Sequence, residues 1–271
     1  MPKTGGTTLN EVVRGQYESD RIFDLSDVVL SRYGKEWKHV PNKERWKTSR
    51  RAFIDLSESK KLKLDAVIGH LWFGVHDYTD VPCQYVTFIR HPVRRYISYF
   101  NFIHGLDGRS PTEEVRKHDW SLAAFLEKRS LSKTAENQQV KFLTGDFSPD
   151  VESLERALEN IDGCFLHVGL TERFDRNLIQ IAESLGWDIP LYTRRNVSEK
   201  KTKVSELDPL VMNEIISRNE LDMALYECIR SQCSERTKVK TGLFRIVNYL
   251  RDTSLGRSVS SLKIAPIYEY I

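Results

Sequence analysis

Apolar positions along this chain alternate between two periods, and the alternation predicts a strand–helix rhythm. Leu9, Val12, Val13 and Tyr17 recur at helical spacing directly after Gly5-Gly6. Asp65-Ala66-Val67-Ile68-Gly69 reads as a short strand, and Gln84-Tyr85-Val86-Thr87-Phe88-Ile89 as a buried one. Pro92 follows, well placed as the first residue of a helix with Val93, Tyr96, Ile97, Phe100 and Ile103 on one face. Helical patterns continue at about 120–129, 134–144 and 149–160, the last with Val151, Leu154, Ala157, Leu158 and Ile161 inward. Cys164-Phe165-Leu166-His167-Val168 reads as another strand. Thr171 is expected to cap a helix with Phe174, Leu178, Ile181, Ala182 and Leu185 inside and Gly186 as its stop. Residues 208–233 hold one broken or two consecutive helices. Strands alternating with helices imply an α/β fold with a mainly parallel sheet. Residues 18–62 are polar and weakly periodic, 106–119 read as a polar loop, and the pattern fades from about 236.

Composition narrows the class without naming it. The chain has 271 residues, 40% hydrophobic and 29% charged, as in ordinary globular proteins. Lys and Arg total 41 against 38 Asp and Glu, a net charge of +3. That balance does not suggest nucleic acid, so any anion site must come from local clustering. Cys83, Cys164, Cys228 and Cys233 show no metal-ligand spacing and read as mostly buried reduced thiols, so no metal is expected. No stretch approaches 18 apolar residues, so no membrane span is expected in the chain.

The candidate chemistry begins at Pro2-Lys3-Thr4-Gly5-Gly6-Thr7-Thr8. Adjacent glycines let a backbone turn tightly against a ligand. A glycine-rich turn opening a helix presents free N–H groups and a positive dipole end, which suits phosphate or sulfate. Lys3 adds a charge, and Thr4, Thr7 and Thr8 add hydroxyls. Lysine precedes the glycines here, whereas in the Walker pattern it follows them. Such loops ordinarily follow a buried strand, and only Met1 and Pro2 come before Lys3, so either the first strand is absent from this chain or the recorded start lies downstream of the true one. A second feature is Arg90, at the carboxyl end of the strand Gln84–Ile89, the edge where open α/β sheets bind ligands. Basic residues between 35 and 51 interleave with Trp37 and Trp46, either as a solvated face or as a surface for an anionic acceptor.

Together these blocks resemble the carbohydrate sulfotransferases, the group that includes the heparan sulfate 2-O- and 6-O-enzymes (sulfotransferase family 2). Residues 2–8 are similar to their 5′-phosphosulfate loop, and Phe88-Ile89-Arg90-His91-Pro92-Val93-Arg94-Arg95-Tyr96-Ile97-Ser98-Tyr99 to their 3′-phosphate motif. Gly69-His70, Gly74-Val75-His76, Asn137-Gln138-Gln139 and Val168–Asp175 also match, and the likeness runs to about Tyr226. The resemblance implies a P-loop-like three-layer fold with a central, mainly parallel sheet flanked by helices. It implies a catalytic domain over 1–235, with 236–271 as a tail. It implies 3′-phosphoadenylyl sulfate (PAPS) as sulfuryl donor and a carbohydrate hydroxyl as acceptor. Lys3, Thr4, Gly5, Gly6, Thr7 and Thr8 would hold the 5′-phosphosulfate, and Arg90, Ser98 and Arg195 the 3′-phosphate. His70 would be the base and Lys3 the group that neutralises the leaving oxygen. His76 is the second candidate base, or a substrate contact. Arg194, Arg195, Asn196 and Ser198 resemble a late loop that closes over the nucleotide. Two other classes remain open at this point: a P-loop kinase or NTPase, and a non-catalytic anion- or glycan-binding module. As written the chain reads as cytoplasmic; an N-terminal anchor upstream would instead place it at the Golgi membrane.

Overall fold

In a computed structural model of the chain, the structure describes residues 1–38, 40, 42–104, 115, 117–118, 120–188, 190–192 and 204–232. Arg194, Arg195, Asn196, Ser198, most of 106–119 and the tail 236–271 lie outside the described residues.

The architecture is mixed α/β. Helix α1 (Gly6–Gln16) leads to strand β1 (Ile22–Asp24) and helices α2 (Leu25–Tyr33), α3 (Asn42–Ile54) and α4 (Glu58–Lys61). Strand β2 (Ala66–Ile68), strand β3 (Tyr85–Ile89) and helix α5 (Pro92–His104) follow. Then come α6 (Leu122–Glu127), α7 (Arg129–Ser132), α8 (Gln138–Thr144), α9 (Val151–Cys164), β4 (Phe165–Leu170), α10 (Phe174–Leu185), α11 (Pro209–Arg218) and α12 (Glu220–Gln232).

Parallel pairing is as expected, but among the described residues it is divided. β1 pairs with β2, and β3 with β4, as two two-stranded parallel sheets. Strands of three residues offer few ladder bonds, so β1 and β2 depend on the helices around them. Ile89 lies opposite Leu170, so β3 and β4 end level. A ligand-facing edge does not need a wide sheet; two level strand ends already form one.

The helices follow their local chemistry. Asp150 and Ser153 make a reciprocal capping box at α9, with Ser153 N–H 2.9 Å from the Asp150 carboxylate. Asp24 ends β1 and caps α2, accepting from Ser26 N–H at 2.7 Å, and it is paired with Arg14. Gly186, at φ 64°, stops α10 as the sequence predicts. The largest core cluster joins Val93, Tyr96, Ile97, Phe100 and Ile103 of α5 to Phe125 and Ile215. A second packs Ile89 and Leu170 under Val140, Ala157, Leu225 and Ile229. A third sets Val12 of α1 against Leu178 and Ile179 of α10.

Several sequence expectations need correction. Residues 18–62, polar and weakly periodic in sequence, contain β1 and the helices α2, α3 and α4, whose apolar positions are too sparse to show a clear period. Val151 is 67% exposed because it begins α9, outside the stripe that faces the core. Leu185, in the last turn of α10, is 38% exposed. Cys83 is an exposed thiol, and Cys164 and Cys228 are only half-buried. Thr171 does not cap α10. That helix begins at Phe174 without a side-chain cap, because the Thr171 hydroxyl is engaged elsewhere. No helix among the described residues is long and apolar enough to cross a membrane.

Candidate functional site

Residues 1–5 turn across the level ends of β3 and β4 and run into α1. Gly5 takes φ 86°, and a Cβ there would lie 3.0 Å from the Phe174 ring. Both the left-handed backbone and the close approach therefore require glycine. Lys3 is at φ 66°. A non-glycine side chain in this region costs on the order of 1 kcal/mol and persists only where its surroundings hold it. Three contacts hold it. The Thr4 hydroxyl donates to the Met1 carbonyl at 3.1 Å. Arg90 Nη1 donates to the Lys3 carbonyl at 3.3 Å. The Thr171 hydroxyl lies 3.0 Å from the Thr4 carbonyl and 2.9 Å from the Ile89 carbonyl, fastening the loop to the strand edge.

The loop's donors are divided between fold and solvent. Thr4 is 1% exposed and its hydroxyl is committed to Met1. Thr8 is buried, while Thr7 is exposed on the first turn of α1. No side chain caps the start of α1 and no acidic residue sits in its first turn. Its N–H groups and positive dipole end are thus unopposed by local negative charge.

Lys3 and Arg90 bring two cations to this edge. The Lys3 ammonium rests 4.3 Å from the centroid of the Phe102 ring, and no carboxylate among the described residues pairs with it. Burial, and secondarily the nearby Arg90 charge, push its pKa down. Burial also lowers that of Arg90, against the opposing influence of Glu172. Two partly desolvated cations side by side favour an anion between them. Ser98 lies on α5 one turn before Phe102, on the face that carries the ring under Lys3. It makes no hydrogen bond among the described residues.

His70 follows β2 and Gly69, whose φ of 131° and 2.9 Å approach to Leu25 Cβ exclude a side chain. Solvent reaches the His70 ring, yet protein surrounds it. That partial burial, then the positive charges of the Met1 amino group, Arg45 and Lys3, push its pKa down to about 3. Because solvent still reaches the ring, the direction carries the chemistry: the imidazole is neutral at pH 7 and available to take a proton.

His76 has a different setting. Its Nδ1 is 2.8 Å from the Tyr85 hydroxyl, and its own N–H donates to the same oxygen at 3.2 Å. Phe73 packs edge-on at 5.0 Å between ring centres. His76 is thus tied into an aromatic cluster that includes Phe165. His91 packs its ring 5.2 Å from that of Tyr226, while its N–H donates to Glu172 at 3.0 Å.

The structure therefore gathers Lys3, Gly5, Gly6, Thr7, Arg90 and Ser98 around one edge, leaves His70 after β2 under the influence of the Met1, Arg45 and Lys3 charges, and sets His76 in a packed neighbourhood. Sequence reasoning did not single out Phe102, Thr171 as a clamp, Asp222, or Gln139 by itself. Gln139 carried a signal as the third residue of the Asn137-Gln138-Gln139 block, and Thr171 as a member of the Val168–Asp175 block. The others act across large sequence separations, which no local pattern records. Among the described residues no cluster of His, Cys, Asp and Glu is arranged to hold a metal ion. No family model matches the chain, and no curated protein matches it.

Proposed function

We propose that the chain is a sulfotransferase that moves a sulfuryl group from PAPS to a hydroxyl of a carbohydrate acceptor. The observation that carries this reading is the pairing of two cations, Lys3 and Arg90, on one glycine-rich loop and strand edge, joined by the bond from Arg90 to the Lys3 carbonyl. The donor carries two separate anionic groups, a 5′-phosphosulfate and a 3′-phosphate, and needs two such sites. Lys3 with the α1 N–H groups would take the first, and Arg90, a planar fork of donors, the second. In this reading β1–β2 and β3–β4 are parts of one P-loop-like three-layer arrangement.

The reaction would be an in-line displacement governed by positioning and electrostatics. His70 accepts the proton of the acceptor hydroxyl as its oxygen bonds to sulfur. The bond between sulfur and the bridging phosphate oxygen breaks, and the electron pair stays on that oxygen, where Lys3 offsets the charge. The acceptor would approach from α3. Arg50 lies between the rings of Trp46 and Tyr78, with its guanidinium carbon 4.9 and 4.6 Å from their centres. Trp46, Trp72 and Phe147 form a half-exposed aromatic surface beside it. Such rings suit the apolar face of a sugar.

Calorimetric titration with 3′-phosphoadenosine 5′-phosphate, beside ADP and without Mg²⁺, tests the proposal. Binding of the bisphosphate in preference to ADP, weakened by Arg90→Ala, is expected. Equal affinities would overturn it, and ADP binding that appears only with Mg²⁺ would favour a kinase.

A further inference from the structure

We infer that Gln139 is a positioning residue for the second anion site: its carboxamide fixes the main chain of Arg90 and so aims the guanidinium. The inference rests on the nucleotide reading above. Gln139 is 1% exposed and sits in the first turn of α8. Its Oε1 accepts from Arg90 N–H at 2.7 Å, and its Nε2 donates to the Arg90 carbonyl at 3.0 Å. The two bonds close a ring on a single residue, just where β3 ends and before α5 begins. No ladder or helix bond holds the backbone at such a junction, so a side chain must supply the partners.

Gln139 is itself anchored from behind. Its N–H donates to both oxygens of Asp222, at 3.0 and 3.1 Å, and Val140 N–H donates to the same carboxylate at 2.9 Å. Asp222 belongs to α12 and is completely buried, as is Arg95, whose Nε is 3.9 Å away. Arg95 Nη1 reaches Gln138 Oε1 at 2.6 Å. Asn137, at φ 44°, donates its N–H to Asn219 at 3.1 Å and accepts from Asp222 N–H at 3.2 Å. The members of this connected set hold one another through hydrogen bonds, apart from Arg95 Nε, which has no hydrogen-bond partner among the described residues. The set links α12 to α8 and ends on Arg90. A purely structural network could terminate on any backbone group; this one terminates on the cation that also contacts the loop. Arg90 is thereby held from two sides, by Gln139 at its main chain and by the Lys3 carbonyl at its guanidinium.

The test compares the affinity of the full chain for 3′-phosphoadenosine 5′-phosphate with that for adenosine 5′-monophosphate, which lacks only the 3′-phosphate. The ratio isolates the second anion site, and general loosening of the fold moves both affinities together. Gln139→Met removes both bonds at similar volume, and the ratio should fall about tenfold while the monophosphate affinity changes less than twofold. Should that variant fail to fold, Gln139→Asn keeps a carboxamide one methylene short of Arg90, and the same fall is expected. A wild-type preference for the bisphosphate that survives in either folded variant overturns the inference alone. Equal wild-type affinities overturn the nucleotide reading, and the inference with it.

Discussion

The hydroxyl of Thr171 lies 3.0 Å from the carbonyl oxygen of Thr4, across 167 residues of sequence. It is also 2.9 Å from the Ile89 carbonyl, so one side chain fastens the N-terminal loop to the edge formed by β3 and β4. Thr171→Val keeps the shape and removes the donor. It should cost about 1 kcal/mol of stability and weaken nucleotide binding several-fold. Denaturant unfolding and calorimetry on the same variant check both. Unchanged binding would mean that the loop keeps its place without this clamp.

Gly5→Ala should be more severe. The new methyl would stand 3.0 Å from Phe174 on a residue already at φ 86°. Strain of about 1–2 kcal/mol is expected, seen as a lower thermal midpoint. Gly15→Ala is the control, since nothing lies within contact of a Cβ there and that position is helical. The control should be neutral or slightly stabilising.

The two candidate histidines separate kinetically. His70→Asn removes the proposed base and should lower kcat by about 10²- to 10⁴-fold with little change in melting temperature. His76→Asn breaks the contact with Tyr85 and should cost about 1 kcal/mol of stability while leaving kcat within tenfold. Steady-state rates with thermal melts on both variants decide the assignment, and the reverse pattern would move the base to His76.

Stability should fall as pH drops below about 6.5. Burial is the leading cause that lowers the folded pKa values of His70, His91 and His167. Below 6.5 the unfolded histidines take protons that the folded ones refuse, so the unfolded state binds more protons and stability rises with pH in this window. Asp222, pushed up by burial, has the opposite slope just above the ordinary carboxylate range. Denaturation midpoints at pH 7.5, 6.0 and 5.0 should decline in that order. The free-enzyme rate should likewise keep its acid limb below pH 6.5, because His70 stays neutral there. A flat stability profile would contradict the lowered pKa values.

The sequence by itself determined what depends on near neighbours. The period of Val93, Tyr96, Ile97 and Phe100 specified α5, and the run before Arg90 specified β3, because burial of a stripe or a ribbon repeats every few residues. Gly5-Gly6 after Lys3 announced a turn that only glycine permits, and the structure places Gly5 at φ 86°. Gly186 announced the end of α10 in the same way. The tertiary structure alone decided what depends on distant partners. It set the Thr171 hydroxyl on the loop instead of on its own helix, because the fold brings the Thr4 and Ile89 carbonyls within 3.0 and 2.9 Å of it. It tied His76 to Tyr85 and left His70 among cations, a difference that no spacing in the chain encodes. Among the described residues it divided the strands into two pairs, and it buried Arg95 beside Asp222, 127 positions later in the chain. A charge can enter the interior only with a partner, and that partner is chosen by packing, not by sequence distance.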